Sequence, residues 1–289
     1  MAKKKLVDYL FQAVKDNDFR KVNYIISLGA DVDARDVFNN TPMFEAQSKE
    51  MIELLIDNCA SIDVQNFKGE TPIMAMIARK NVEGMECLIK QGADLTIRNN
   101  DDLMCPLCLA VKNDFREGVE ILLKNGVEVD TDNKYKRTEL MYAKSVEVQN
   151  MLIENGADVN AKDDLYQTVL ANVINWEGKI ELVDNLLKHG VNPNQHNYLN
   201  ETSLDIAMFK KYCSNLHLND KEWDDGDLVI ESLIRAGCDA NHCSIWGTKI
   251  IDEVNDEGKK VVFKIINKIK KEKMEKKIKG FCGKFLGGR

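Results

Sequence analysis

Residues 66–94 read NFKGETPIMAMIARKNVEGMECLIKQGAD. Thr71-Pro72 marks a helix start, because a threonine side chain can cap the first turn and proline suits a position where no backbone donor is needed. A second apolar run ends in Leu88-Ile89, and Gly92-Ala-Asp94 stops it. A helix that ends and turns sharply needs a left-handed residue just past its end, and glycine takes that conformation freely. The stretch is therefore one compact unit: a helix, a turn, a second helix and a tight stop.

The closing phrase returns as Gly29-Ala-Asp31, Cys59-Ala-Ser61, Gly92-Ala-Asp94, Gly126-Val-Glu128, Gly156-Ala-Asp158, Gly190-Val-Asn192 and Gly237-Cys-Asp239, at intervals of 30, 33, 34, 30, 34 and 47 residues. Cys59 in the glycine slot should cost roughly 1 kcal/mol. The opening phrase follows each stop by 11 to 13 residues: Thr41-Pro42-Met43, Thr71-Pro72-Ile73, Cys105-Pro106-Leu107, Thr138-Glu-Leu140, Thr168-Val-Leu170, Thr202-Ser-Leu204 and Thr248-Lys-Ile250.

These paired phrases resemble the ankyrin repeat, whose consensus runs Asp-x-x-Gly-x-Thr-Pro-Leu-His-x-Ala and closes on Leu-Leu-x-x-Gly-Ala-Asp-Val-Asn-Ala. Asn66-Phe-Lys-Gly69-Glu-Thr71-Pro72-Ile73 and Gly156-Ala-Asp-Val-Asn160-Ala161 match it closely. The resemblance implies an all-α solenoid of stacked helix-turn-helix units with β-hairpin-like loops, curved with a concave face. It places an N-terminal cap at 4–35, repeats at 36–65, 66–98, 99–132, 133–162, 163–196 and 197–243, with an insertion at 211–226. A C-terminal cap at 244–270 and a basic tail at 271–289 follow. The histidine slot holds Phe44, Met74, Cys108, Met141, Ala171 and Asp205, so histidine-centred hydrogen bonds are absent. In the two 30-residue units three residues are missing where the first helix meets the second, which predicts a clipped first helix near residues 41–46 and 138–143.

The array must hide its apolar ends. Leu6 to Leu28 supplies two helices without a preceding hairpin phrase, kept wet by Lys3, Lys4, Lys5, Asp8, Asp16 and Arg20. At the other end Thr248 to Val254 predicts a short helix, and Val261, Val262, Ile265, Ile266 and Ile269 share one face of a longer one. The chain has 289 residues, 44% hydrophobic and 30% charged, with 4 prolines, a composition that suits a soluble helical array. Its 8 cysteines form no disulfide framework and are expected to be reduced thiols in a cytoplasmic protein, and neither a signal peptide nor a membrane span is expected.

Hairpin tips lie between the two phrases and are spared core duty, so they report on binding. They carry Phe38, Phe67, Leu103, Tyr135, Tyr166, Tyr198 and Trp246, with Leu165 and Leu199 among them. Exposed rings on rigid supports are common anchors of protein interfaces; the bland alternative is that neighbouring rings stack to stiffen the row. First-helix positions expected to face the same concavity are Glu45, Ala75, Leu109, Tyr142, Asn172 and Ile206, then Arg79, Asn113, Trp176 and Lys210 one turn on. The insertion carries Tyr212, His217 and Trp223 beside four acidic residues. It reads as a solvated excursion or a partner contact, and it lacks the glycine and closing glutamate of a calcium loop.

Charge is divided. Residues 259–289 hold 12 Lys or Arg against Glu272 and Glu275, and residues 1–258 hold 28 basic against 45 acidic residues, a net of −17. The leading expectation is a non-catalytic scaffold or inhibitor that binds a folded, basic protein, itself a monomer. The alternative is an adaptor tethered to membrane or nucleic acid through its basic end. Enzyme chemistry has no inventory: His189, His196, His217 and His242 are scattered, and no phosphate loop or paired-carboxylate arrangement appears. Cys105-Pro-Leu-Cys108 has the spacing of half a zinc site, but no second pair follows, so no metal and no cofactor is expected.

Overall fold

The computed structural model describes residues 2–213, 223–243 and 249–286. Among the described residues the regular structure is helical, with three isolated antiparallel bridges and no strand. Two compact units divide the chain, Met1–Asp158 and Val159–Arg289.

In the first unit α1 (Ala2–Lys15) pairs with α2 (Phe19–Ser27), and a three-residue 3-10 turn, Pro42–Phe44, precedes α3 (Lys49–Asp57). α4 (Pro72–Ala78) pairs with α5 (Val82–Lys90) and α6 (Pro106–Lys112) with α7 (Arg116–Lys124); a second 3-10 turn, Glu139–Tyr142, precedes α8 (Val146–Glu154). Both 3-10 turns fall where three residues are missing, since the shortened segment lacks the length for two turns of α-helix.

The core repeats with the sequence. Four residues before each stop stand Ile25, Leu55, Leu88, Leu122 and Leu152 in the first unit and Leu186 and Leu233 in the second, all buried. Each such side chain removed from water stabilises by about 1.5–3 kcal/mol. The same residue's carbonyl closes the stop: Ala60 donates to Leu55 O at 2.9 Å and Ala93 to Leu88 O at 3.0 Å. That closure forces the left-handed conformation, which Gly92 adopts at φ +88° and Cys59, with its side chain, at +66°.

The capping expectation needs correction in the first unit. Thr41, Thr71 and Thr138 sit at helix starts, yet their hydroxyls cap nothing and are buried without a hydrogen-bond partner. Their neighbours in the histidine slot are Phe44, Met74 and Met141, which offer no polar partner. In these and neighbouring units the second helices α3, α5 and α8 are capped instead, as where Ser48 Oγ accepts from Met51 N at 3.2 Å and Asn81 Oδ1 from Gly84 N at 3.0 Å, while α7 starts on Phe115 without a side-chain cap.

The second unit contains α9 (Val169–Trp176), α10 (Ile180–Lys188), α11 (Ser203–Met208), a π turn (Phe209–Cys213), α12 (Gly226–Arg235), α13 (Ile250–Glu253) and α14 (Asp256–Leu286). Here threonine does cap: Thr168 Oγ1 accepts from Ala171 N at 3.1 Å, and Thr202 forms a capping box with Asp205. α14 buries Val262, Ile265 and Ile269 and packs on α12, with Val261 and Ile266 half-buried at the margins of that stripe. Lys268 reaches Glu231 at 2.9 Å and Arg235 reaches Glu272 at 2.7 Å across the same seam. None of the described helices is long and apolar enough to cross a membrane.

Candidate protein-binding surface

Each hairpin tip opens on an Asp or Asn whose side chain folds the turn. Asp36 Oδ1 accepts from Phe38 N and Asn40 N, both at 2.8 Å, and Asn66, Asn133, Asp163 and Asn197 repeat the pattern at 2.8–3.0 Å. Such turns form because a short carboxylate or amide reaches backbone donors two and four residues on. Neighbouring tips are then tied through their backbones. In the first unit Phe67 N donates to Phe38 O at 3.1 Å, Asn100 N to Lys68 O at 2.7 Å and Lys134 N to Asp102 O at 3.0 Å. In the second, Tyr198 N donates to Leu165 O at 3.3 Å. These backbone hydrogen bonds stiffen the row of tips.

The side chains at the tips stand out. In the first unit Phe38, Phe67 (72% exposed), Leu103 (45%) and Tyr135 present themselves to solvent; in the second, Leu165, Tyr166 (60%) and Tyr198 do so. Tyr135 has Lys134 Nζ 4.9 Å and the Arg137 guanidinium carbon 5.6 Å from its ring centre, so cations flank the ring. The position two residues before the Thr or Cys at each helix start is left-handed in every described repeat: Asn39, Gly69, Leu103, Lys136, Tyr166 and Asn200 have φ from +55° at Leu103 to +70° at Gly69. Leu103 and Tyr166 are bulky residues in a conformation that costs a side chain about 1–2 kcal/mol.

The remaining expected contact residues divide. Tyr142 is half-buried, its hydroxyl accepting from Asn133 Nδ2 at 2.8 Å, so it braces the base of a tip. Trp176 is exposed at the end of α9. Asn172 and Ile206, expected on an open face, are buried instead, because α9 and α11 pack on each other through them. The described ends of the insertion also differ from an open excursion. Trp223 Nε1 donates to Gly178 O at 2.7 Å with Lys210 Nζ 4.6 Å from its ring, and Tyr212 lies against Gly258 of α14 while its hydroxyl donates to Asp227. Burial and the Asp227 carboxylate push the Tyr212 hydroxyl pKa up. Trp246 and His217 lie outside the described residues.

Sequence reasoning missed the Asp and Asn that build the tips, although they recur at a fixed place five residues before each Thr or six before Cys105. It missed Phe209, exposed on the π turn, for which the sequence carries no signal. It also missed Glu139, which joins Cys105 and Cys108 in the one group of potential metal ligands among the described residues.

The family model described as ankyrin repeats (3 copies) matches residues 10–99 and 78–163, together more than half of the chain. Ankyrin repeat protein L371 of Acanthamoeba polyphaga mimivirus is 25% identical over 214 residues, covering 69% of this chain and 28% of the relative. The B-cell lymphoma 3 protein homolog of Mus musculus is 27% identical over 214 residues, covering 69% and 47%. The neurogenic locus notch homolog protein 1 of Homo sapiens is 32% identical over 171 residues, covering 56% and 6%. The chain thus spans less than half the length of each of these relatives. Among solved structures the human ASB11 ankyrin repeat domain superposes with a TM-score of 0.65 at 22% identity over 80% of this chain and 98% of that one. The ankyrin repeat domain of Bcl-3 gives 0.50 at 19% identity over 90% and 97%. Both likenesses speak for the fold. Ankyrin repeats are in general protein–protein interaction modules, and with the repeated stop, the tied tips and the matching model all in one register, the chain belongs to the ankyrin repeat family.

Proposed function

We propose that the chain is a non-catalytic module that holds a folded, basic protein partner through its hairpin tips. The observation that carries this reading is the strain at Leu103 and Tyr166. Both adopt a left-handed backbone where Gly69 stands in a sister repeat, and both keep much of the side chain in solvent, Leu103 at 45% and Tyr166 at 60%. A large apolar or aromatic side chain kept exposed at an expensive backbone position is explained by an external contact. Phe38 and Phe67 extend the same row in the first unit, and Tyr198 does so beside Tyr166 in the second. The net charge of −17 on residues 1–258 favours association with a basic surface.

The test separates surface use from structure. A photo-crosslinking residue at Phe67 identifies the bound protein by mass spectrometry, and its affinity is then measured for Leu103→Gly and Tyr166→Gly. Glycine relieves the backbone strain, so each variant should be as stable as the parent or more stable by about 1 kcal/mol. Affinity should fall at least about tenfold for the pair, in the range expected for loss of interface anchors. Unchanged affinity in folded double variant would remove the tips from the binding surface.

A further inference from the structure

Three departures from the chain's own repeat pattern meet at one point in the first unit. Cys105 stands where Thr41, Thr71 and Thr138 stand in sister repeats, Cys108 stands three residues on in the first turn of α6, and Glu139 replaces the proline of Pro42, Pro72 and Pro106. One repeat of offset brings the glutamate onto the two thiols. Cys108 Sγ lies 3.3 Å from Glu139 Oε1, Cys105 Sγ lies 3.8 Å from the same oxygen, and Thr131 Oγ1 lies 3.2 Å from Cys105 Sγ. The three ligand atoms all fall within 4.8 Å of one another.

The surroundings are unusual for groups of this kind. Glu139 is fully buried, its Oε2 has no hydrogen-bond partner, and no Lys, Arg or His forms an ion pair with it among the described residues. The Cys108 backbone N–H donates to Cys105 Sγ at 3.4 Å, and both thiols lie within donating distance of Glu139 Oε1. A carboxyl taken out of water with no cation costs several kcal/mol. A divalent ion among the three groups removes that cost.

We propose that Cys105, Cys108 and Glu139 form a binding site for one thiophilic divalent ion, zinc by donor chemistry. Two sulfurs and one carboxylate suit a borderline-soft ion and not calcium or magnesium, which take oxygen ligands. The distances fit. A tetrahedral ion with about 2.3 Å to sulfur and about 2.0 Å to oxygen sets sulfur–oxygen edges of about 3.5 Å, between the 3.3 and 3.8 Å found here. The Thr131 hydroxyl donates to Glu139 Oε1 and orients the carboxylate, the outer-shell support that metal ligands need. An entry path exists as well: Cys105 and Thr131 line a cavity of about 640 Å³ together with Asp94, Thr96 and Val127. A water from that cavity completes the fourth position, and the two thiol protons leave to solvent as the ion enters.

Cobalt(II) is the probe. Added to the reduced, chelator-stripped full chain, it should bind at one ion per chain, with a thiolate charge-transfer band and the intense visible bands of tetrahedral cobalt, and zinc should displace it. Glu139→Gln should weaken binding at least about tenfold, and the double replacement of Cys105→Ser and Cys108→Ser should abolish the spectrum. Because these variants sit in the core, a second measurement uses the parent chain: zinc should protect Cys105 and Cys108 from an alkylating reagent, as located by peptide mass spectrometry. The proposal is overturned by a folded, reduced chain that gives no thiolate spectrum. Protection that falls on Cys238 or Cys243 instead also overturns it, as does a Cys105–Cys108 disulfide that takes up no ion after reduction.

Discussion

Thr71 and Thr202 occupy the same slot in two repeats, and the same replacement should move stability in opposite directions. Thr71 precedes α4 in extended conformation, φ −102° and ψ 165°, fully buried, with a hydroxyl that has no partner. A buried hydroxyl left unpaired costs about 1–3 kcal/mol. Thr71→Val keeps the shape, suits the extended backbone and removes the unpaired oxygen, so the expected change is a gain of about 1 kcal/mol. Thr202 Oγ1 instead donates to Asp205 Oδ2 at 2.8 Å and accepts from Asp205 N at 3.3 Å. A cap is worth about 1 kcal/mol and a hydrogen bond to a charged group about 1.5–3. Asp205 keeps only Thr202 N at 2.8 Å and His242 Nδ1 at 3.0 Å, and its other oxygen is already buried without a partner. Thr202→Val should therefore cost about 2–3 kcal/mol.

Repeat arrays open locally, so native-state hydrogen exchange is the suitable assay, read at the amides of α4 and α5 for the first variant and of α11 and α12 for the second. The reasoning is refuted if Thr71→Val lowers protection in α4 as much as Thr202→Val lowers it in α11, since that outcome requires a polar partner for the Thr71 hydroxyl.

Trp223→Ala should destabilise the second unit by about 2 kcal/mol, because it removes the hydrogen bond to Gly178 O, the cation contact with Lys210 and half-buried ring area; an unchanged urea midpoint would show that the ring is idle. Lys268 and then Arg235 hold the Glu231 carboxyl below the usual carboxylate range. A depressed carboxylate contributes stability above its unfolded value of about 4.3 and loses it as pH falls through the lower folded value. Amide protection in α14 should accordingly decline below about pH 4, and Glu231→Gln should flatten that decline; an acid response identical in the variant would assign it to other groups.

Much of the fold was legible because each slot is written several times. Ile25, Leu55, Leu88, Leu122, Leu152, Leu186 and Leu233 need no individual argument once their shared distance from the stop is seen, and the missing three residues located both 3-10 turns by counting alone. The tip rings were legible for the same reason. Thr41 and Thr71 were misread because a capping rule describes what a threonine can do, while the residue in the neighbouring slot decides whether a partner is there; Asp205 supplies one and Met74 does not. Tyr212 and Trp223 were misread because the contacts that hold them, Gly258 and Gly178, lie 46 and 45 residues away in an interval that breaks the period.

Glu139 shows what a search along the chain overlooks in a repeat protein. It is 34 residues from Cys105 and 31 from Cys108, too far for a ligand motif defined by local spacing, yet that separation is one repeat, and stacking turns one repeat into direct contact. Departures from the repeated phrase are therefore best read down a column of equivalent slots. Down the left-handed column the bulky residues are Leu103 and Tyr166, both exposed, and these are the positions proposed to meet a partner. Down the helix-start columns Cys105, Cys108 and Glu139 are departures that are all buried and meet at one point, the proposed ion site. Burial separates the two kinds of departure: a misfit that the fold leaves in solvent is open to another molecule's surface, while a polar misfit that the fold encloses can be met only by something small enough to enter.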